Sequence, residues 1–315
     1  LAILSTLLGW FHWIIGLVAA GILGKNLARS MQRRKISVHY PLIATASYCC
    51  MMLANPESSV STPLGINIGI AVLTGFLITQ MIPKRNVRTI DAFEHEAKSP
   101  HVLTSEKART FAEKLEQSYT ANAAVGCLGV LFLIHQFKHG SHENTPNLVI
   151  FILLTLGLLL HRNPASYARA ITNSVKCIPG IMIQFPFYGG VMAILRDSGL
   201  GTTIVTYFTV IATKETLPLL AYLSSALIKI FIPISGANPV FEGKLMLEAA
   251  SKLGASAELT SLGIAYGKMI ANMVQPFWTV PLLSIMGLKP RDIMGYCLVI
   301  FFFVFPTLAV ALWRA

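Results

Sequence analysis

Charge is what this chain has least of. Only 12% of its 315 residues are charged, and Asp and Glu together number 14, where a soluble domain carries charge on about a quarter of its residues. So little ionic surface argues against a fold that faces water on every side. Strand-length alternation of apolar and polar residues is missing too, which argues against a transmembrane β-barrel. Cysteine is sparse and odd in number: Cys49, Cys50, Cys127, Cys177 and Cys297. These lie in or beside apolar segments without metal-ligand spacing, so they read as small core residues and exclude a disulfide framework. No Ser/His/Asp set, phosphate-binding loop or dinucleotide fingerprint is legible, so no catalytic residue, metal or cofactor is assigned. Leu1 already stands in an apolar run, without methionine or a basic n-region. No signal peptide is therefore read, and the expectation is that residues precede it.

What is present is apolar length. Hydrophobic residues make up 54% of the chain and the mean hydropathy is +0.63. Several runs approach the ~20 residues that cross a bilayer, so the fold class is an all-α polytopic membrane protein. The net charge of +11 sits in loops beside apolar runs, the pattern of cytoplasmic connections, and a nucleic-acid partner is not expected. Residues 25–35 hold five basic residues and no acid, and residues 83–118 open with Lys84, Arg85 and Arg88. Both are assigned to the cytoplasm, with 41–53 and 63–82 as apolar segments between them. Residues 119–137 then cross outward, 138–146 form an external loop, and 147–160 return. Residues 161–176 carry Arg162, Arg169 and Lys176 without an acid, which is again cytoplasmic, and 166–177 reads as an interfacial amphipathic helix. Further apolar segments follow at 179–195, 202–213, 217–232, 259–274, 277–288 and 293–313. The domain reading is a partial first transmembrane repeat over 1–82, a polar cytoplasmic linker over 83–118, and a second transmembrane repeat over 119–315.

One stretch organises the rest. Phe231 to Gly243 reads FIPISGANPVFEG, with Pro233, Ser235, Gly236, Asn238, Pro239 and Gly243 inside it. Prolines and glycines this dense interrupt a helix, yet the flank is as apolar as a span. Non-helical backbone at membrane depth survives where it is buried in protein or lines a wet cavity, and in secondary transporters such breaks hold substrate and ions. The same order of features occurs near the start. Ser5-Thr6-Leu7-Leu8 leads into a break around His12, then a charged connector, then Ala46-Ser47-Tyr48 and Asn55-Pro56. Ser224-Ser225-Ala226-Leu227 leads into the break at Ser235, then a charged connector, then Ile264-Ala265-Tyr266, Asn272 and Gln275-Pro276. The order predicts an internal repeat.

QFPFYGG at 184–190 with DSGLG at 197–201, IAYGKMIANMVQPFW at 264–278, GLKPRDIMGYC at 287–297 and, more loosely, HWIIGLVAAGILGKNLAR at 12–29 resemble the short-chain fatty acid transporter family. Its bacterial members carry acetoacetate and butyrate. The resemblance covers nearly the whole chain and implies two inverted repeats, each with a re-entrant hairpin and a broken helix, around a midplane site. It also implies uptake of a small carboxylate by cation-coupled symport across the cell inner membrane. Members begin with a longer N-terminal portion, and they place a glycine-rich run where this chain has Ser235-Gly236-Ala237-Asn238.

The chemistry of such a site assigns candidates. Half-helix N-termini offer free N–H groups and partial positive charge to an anion, so Ser235, Gly236, Ala237 and Asn238 are expected to bind the carboxylate, with Gln184, Tyr188 and Trp278. Phe185, Phe187 and Phe277 would extend the apolar wall. Asn272 and Gln275 precede Pro276, where a break exposes carbonyls, and they are the candidates for cation coupling together with His12, whose imidazole is a candidate proton carrier. Among ionisable residues at depth, Lys229 is read as snorkelling to an interface, while Glu242 and Lys268 are further candidates. Gly263 and Gly267 are read as a close-packing pair. The expected partners are a short-chain carboxylate, a proton or sodium ion and the lipid bilayer, with a homodimer as one candidate assembly. Alternatives from the residues are a carrier of dicarboxylates or other organic anions, an integral-membrane enzyme using His135, His139 and His142, and a non-transporting fragment.

Overall fold

The computed structural model describes residues 1–11, 13–52, 64–93, 110–139, 146–175, 178–232 and 240–314. Every regular element among them is helical. In order these are α1 (Ala2–Phe11), α2 (Trp13–Arg33), α3 (Tyr40–Tyr48), α4 (Leu64–Gln80), α5 (Phe111–Glu116), α6 (Tyr119–His139), α7 (Pro146–Leu160) and α8 (Pro164–Val175). Then follow α9 (Ile178–Asp197), α10 (Leu200–Val210), α11 (Leu217–Phe231), α12 (Val240–Leu253), α13 (Ala257–Ile270), α14 (Thr279–Met286) and α15 (Pro290–Arg314). Short 3₁₀ turns occupy Cys49–Met52, Ala271–Met273 and Pro276–Trp278. The chain forms two units, Leu1–Ser99 with Gly180–Ala315, and Pro100–Pro179.

Helix α15 shows which solvent surrounds the first unit. Ile293, Cys297, Ile300, Val304, Leu308 and Leu312 form one buried stripe at helical spacing, while Phe302, Phe303, Val310 and Trp313 stand more than half exposed. A helix that is apolar on its outer face as well as its inner one belongs in hydrocarbon. Helices α6 and α15 are each long and apolar enough to cross a bilayer. Three other apolar helices are shorter than a full span: α4 has 17 residues and α7 and α11 have 15 each. The interruption expected around His12 in the apolar stretch 1–24 falls where α1 ends at Phe11 and α2 starts at Trp13.

Glycine explains that cut. A Cβ built on Gly16 would lie 2.6 Å from the Cα of Gly9, and one on Gly9 would strike the Cys50 carbonyl. In one continuous helix residues seven apart are about 10 Å apart, so the chain folds back between them and α1 packs directly on α2. Both arms reach α3: the Ser5 hydroxyl donates to the Ala46 carbonyl at 2.6 Å, and Gly24 meets the Ser47 hydroxyl. Ser5 opposite Ala46 and Gly9 opposite Cys50 make α1 and α3 run parallel.

The same parallel pairing recurs far along the chain. Gly263 abuts the Pro218 carbonyl and Gly267 the Tyr222 carbonyl, so α11 and α13 touch backbone to backbone. The Gln275 amide donates to the Ile230 carbonyl at 3.0 Å, continuing that register. The reading of Gly263 and Gly267 as a close-packing pair is borne out. In the second unit, α6 and α7 are antiparallel neighbours. Asn122 donates to the Leu158 and His161 carbonyls at 2.6 and 2.8 Å, and Gly126 and Gly129 admit Leu159 and Thr155. The amphipathic segment expected at 166–177 corresponds to α8.

A polar strap closes one end of the first unit. The Tyr40 backbone N–H donates to the Arg88 carbonyl at 2.9 Å, and the Arg88 N–H donates to Nδ1 of His39 at 3.1 Å. Nε2 of His39 meets the Tyr296 hydroxyl at 2.8 Å, and the Arg88 guanidinium pairs with Asp292 at 3.2 Å. That guanidinium also lies 4.5 Å over the Phe93 ring.

Candidate functional site

Two helices lose their α-helical turn at one place. Helix α3 ends at Tyr48 and passes into the 3₁₀ turn Cys49–Met52, and α13 ends at Ile270 and passes into the turn Ala271–Met273. Unwinding frees carbonyls that the helix would have used. Here the two turns satisfy each other. The Tyr48 hydroxyl donates to the Asn272 carbonyl at 3.0 Å, and the Asn272 amide donates to the Met51 carbonyl at 3.1 Å. Tyr48, Met51 and Asn272 are all buried. The amide oxygen of Asn272 is buried as well and has no hydrogen-bond partner. A buried acceptor left open costs free energy of about 1–3 kcal/mol, and it is a place where an ion, a water or a substrate donor gains most.

Gln275 carries the polar line onward. Besides its bond to Ile230, its Oε1 accepts the Phe277 N–H at 3.2 Å and faces the Tyr188 hydroxyl at 3.4 Å, the last a long and weak contact. Phe277, 2% exposed, forms the apolar side. It meets Phe185 at 5.4 Å, Tyr188 at 5.5 Å and Trp278 at 5.0 Å between ring centroids, each edge to face, the favoured geometry for aromatic pairs. The chemistry offered is therefore one open buried amide oxygen, that of Asn272, and an aromatic cluster around Phe277: an acceptor for an ion or a donor, and apolar surface for a short hydrocarbon tail.

Of the residues singled out from sequence, the structure gathers Asn272, Gln275, Tyr188 and Trp278, with Phe185 and Phe277 among them. Gln184 lies one turn before Tyr188 on α9, partly buried, and its side-chain oxygen has no partner. Phe187 does not join the wall, being 73% exposed, because it sits on the opposite side of α9 from Phe185 and Tyr188. Ser235, Gly236, Ala237, Asn238 and His12 lie outside the described residues, as do the side chain of Glu242 and all of His142. His135 is exposed, and Lys268 is partly buried. Lys229 contradicts its reading: it does not snorkel to an interface but is buried, with 3% of its surface accessible.

Two participants escape sequence reasoning. The Tyr266 hydroxyl donates to Oδ1 of Asn67 at 2.8 Å, and Asn67, on α4, is 4% exposed with its own amide nitrogen unpartnered. A single Asn in the apolar run LGINIGIA was the available signal, since polar side chains in spans seek partners across helices. The Cys49–Met52 turn gives no signal, because nothing in CCMM breaks a helix.

Comparison with known proteins supplies the context. The family described as Short chain fatty acid transporter matches residues 65–314. A candidate short-chain fatty acid transporter of Escherichia coli (strain K12) is 33% identical over 316 aligned residues, covering 91% of this chain and 71% of the relative. One of Haemophilus influenzae (strain ATCC 51907 / DSM 11121 / KW20 / Rd) is 32% identical over 334, covering 96% of this chain and 75% of the relative. No solved structure matches the chain.

Proposed function

Because the chain belongs to the short-chain fatty acid transporter family, we propose that it takes up short-chain carboxylates of the acetoacetate and butyrate type by symport with a cation across the cell inner membrane. The observation that carries this reading beyond family membership is the meeting of the two 3₁₀ turns, Cys49–Met52 and Ala271–Met273, with an open buried oxygen on Asn272. Helices broken at depth and facing each other are how transporters build a substrate and ion site. The parallel pairing of α1 with α3 and of α11 with α13 supports an arrangement in two repeats, inverted with respect to each other, each with a re-entrant hairpin.

In this reading Asn272 and Gln275, with His12, hold the coupling ion. Ser235, Gly236, Ala237 and Asn238 at the second hairpin hold the carboxylate, and Gln184, Tyr188 and Trp278 line the space beside it. Residues 83–118 form a cytoplasmic linker between a first repeat at 1–82 and a second at 119–315. The test is uptake of labelled butyrate by proteoliposomes containing the purified chain, under an imposed sodium gradient, an imposed proton gradient, or neither. Accumulation above the gradient-free level under one of the two is the expected result. Equal, passive accumulation in all three would remove the symport reading.

A further inference from the structure

We infer that Lys229 is the residue that neutralises the substrate carboxylate, an inference that rests on the transport reading above. Among the described residues it is the one charged residue that is buried as a whole. An ionisable group inside the membrane-spanning part of a protein is costly, and such residues commonly face a substrate or ion path. The packing of α11 says where this one faces. Pro218, Tyr222 and Ser225 meet α13 at Gly263 and Gly267. They occupy positions i, i+4 and i+7 of one stripe, and Lys229 is i+11, the next member of the same stripe.

Register then fixes its level. Pro218 is opposite Gly263, Tyr222 opposite Gly267, and Ile230 bonded to Gln275, so the two helices advance together. Lys229 therefore lies level with Val274, just past the turn bearing Asn272. It is also two residues from Phe231, where α11 ends. Lys229, the turn with the open Asn272 oxygen and Phe277 thus fall at neighbouring levels of the fold.

The charge type suits the cargo. A lysine is a compact point charge, whereas arginine presents a flat fork. A single point charge meets a single carboxylate on a short tail, with the tail turned to the aromatic side. The alternative role for Lys229 is purely structural, a cation near the C-terminal end of α11 that favours the helix dipole. The two roles predict opposite results for Lys229→Met. Removing a buried cation that only braces the helix lowers stability, while removing a substrate counter-ion leaves the fold intact and abolishes anion binding.

The experiment measures uptake of labelled butyrate in proteoliposomes, and thermal melting in detergent with and without butyrate, for the wild type, Lys229→Met and Lys229→Arg. Expected are a wild type stabilised by butyrate and a Lys229→Met chain that melts no lower but is not stabilised. Its half-saturation constant should rise about tenfold to a hundredfold, the value of one hydrogen bond to a charged group, with Lys229→Arg intermediate. Unchanged half-saturation in Lys229→Met overturns the assignment of Lys229 alone. Absence of butyrate uptake by the wild type overturns the transport reading instead. Should the variants fail to fold, amine modification of the wild type at Lys229 is followed by peptide mass spectrometry. Protection by butyrate but not by butanol supports the inference, and equal modification under both overturns it.

Discussion

At the scale of the residue, glycine and a few buried polar side chains decide the structure. Gly263 and Gly267 let α13 approach α11 until backbone touches backbone, so a side chain there meets carbonyl groups that cannot move aside. Gly267→Val is expected to destabilise by about 1–3 kcal/mol, the usual cost of overpacking, read as a lower Tm in detergent. Gly295 has open space around it on α15, so Gly295→Ala should raise the Tm, since alanine is favoured over glycine in a helix by about 1 kcal/mol. A Gly267→Val chain that melts with the wild type would refute the contact. The spacing of Gly263 and Gly267 was legible because small residues four apart mark one helix face. The fate of Lys229 was not, because a lysine near a helix end can equally reach an interface, and only the stripe through Tyr222 and Ser225 shows that it points inward.

At the scale of the element, the strap around His39 is a pH-sensitive fastening. Its Nδ1 accepts the Arg88 N–H and its Nε2 faces the Tyr296 hydroxyl, which suits the neutral ring with its proton on Nε2. Burial, and the Arg88 charge second, push the His39 pKa below its ordinary 6.5. A group whose folded pKa is depressed in this way favours its neutral form, so its contribution is complete above pH ~6.5 and is lost as pH falls through that value toward the folded one. The Tm should therefore fall between pH 7.5 and 5.5, and His39→Asn should show a smaller fall over the same range because it cannot take up the proton. Equal falls in the two proteins would show that the strap is not titrated by His39. Strap and breaks differed in how far they could be read. The break between α1 and α2 was marked by Gly9, Gly16 and His12. The unwinding after Tyr48 was not marked, because its cause is Asn272, more than two hundred residues along the chain, accepting and donating across the turn.

At the scale of the whole molecule, the order of elements was legible but their registers were not. An arm with paired hydroxyls, a break, a connector and a helix bearing Tyr occur twice in the sequence. Yet Ser5 meets Ala46 at a separation of 41 residues, whereas Ile230 meets Gln275 at 45, a slip of about one helical turn that no local pattern encodes. Direction across the membrane is carried by charge. Residues 25–35 hold five cations and no acid, and Lys84, Arg85 and Arg88 follow α4. Short loops rich in Lys and Arg stay in the cytoplasm, so Arg33 and Lys84 should lie inside and Ser141, beyond α6, outside. Single cysteines at these positions test this with a membrane-impermeant maleimide on intact cells. Cys49, Cys50 and Cys297 are buried and should stay unlabelled, so replacing Cys127 and Cys177 by serine suffices as background. Ser141→Cys should label at once, while Arg33→Cys and Lys84→Cys should label only after permeabilisation. Arg33→Cys and Lys84→Cys labelling from opposite sides would mean that the segment between them crosses an odd number of times, and the two-repeat reading would have to be redrawn from there.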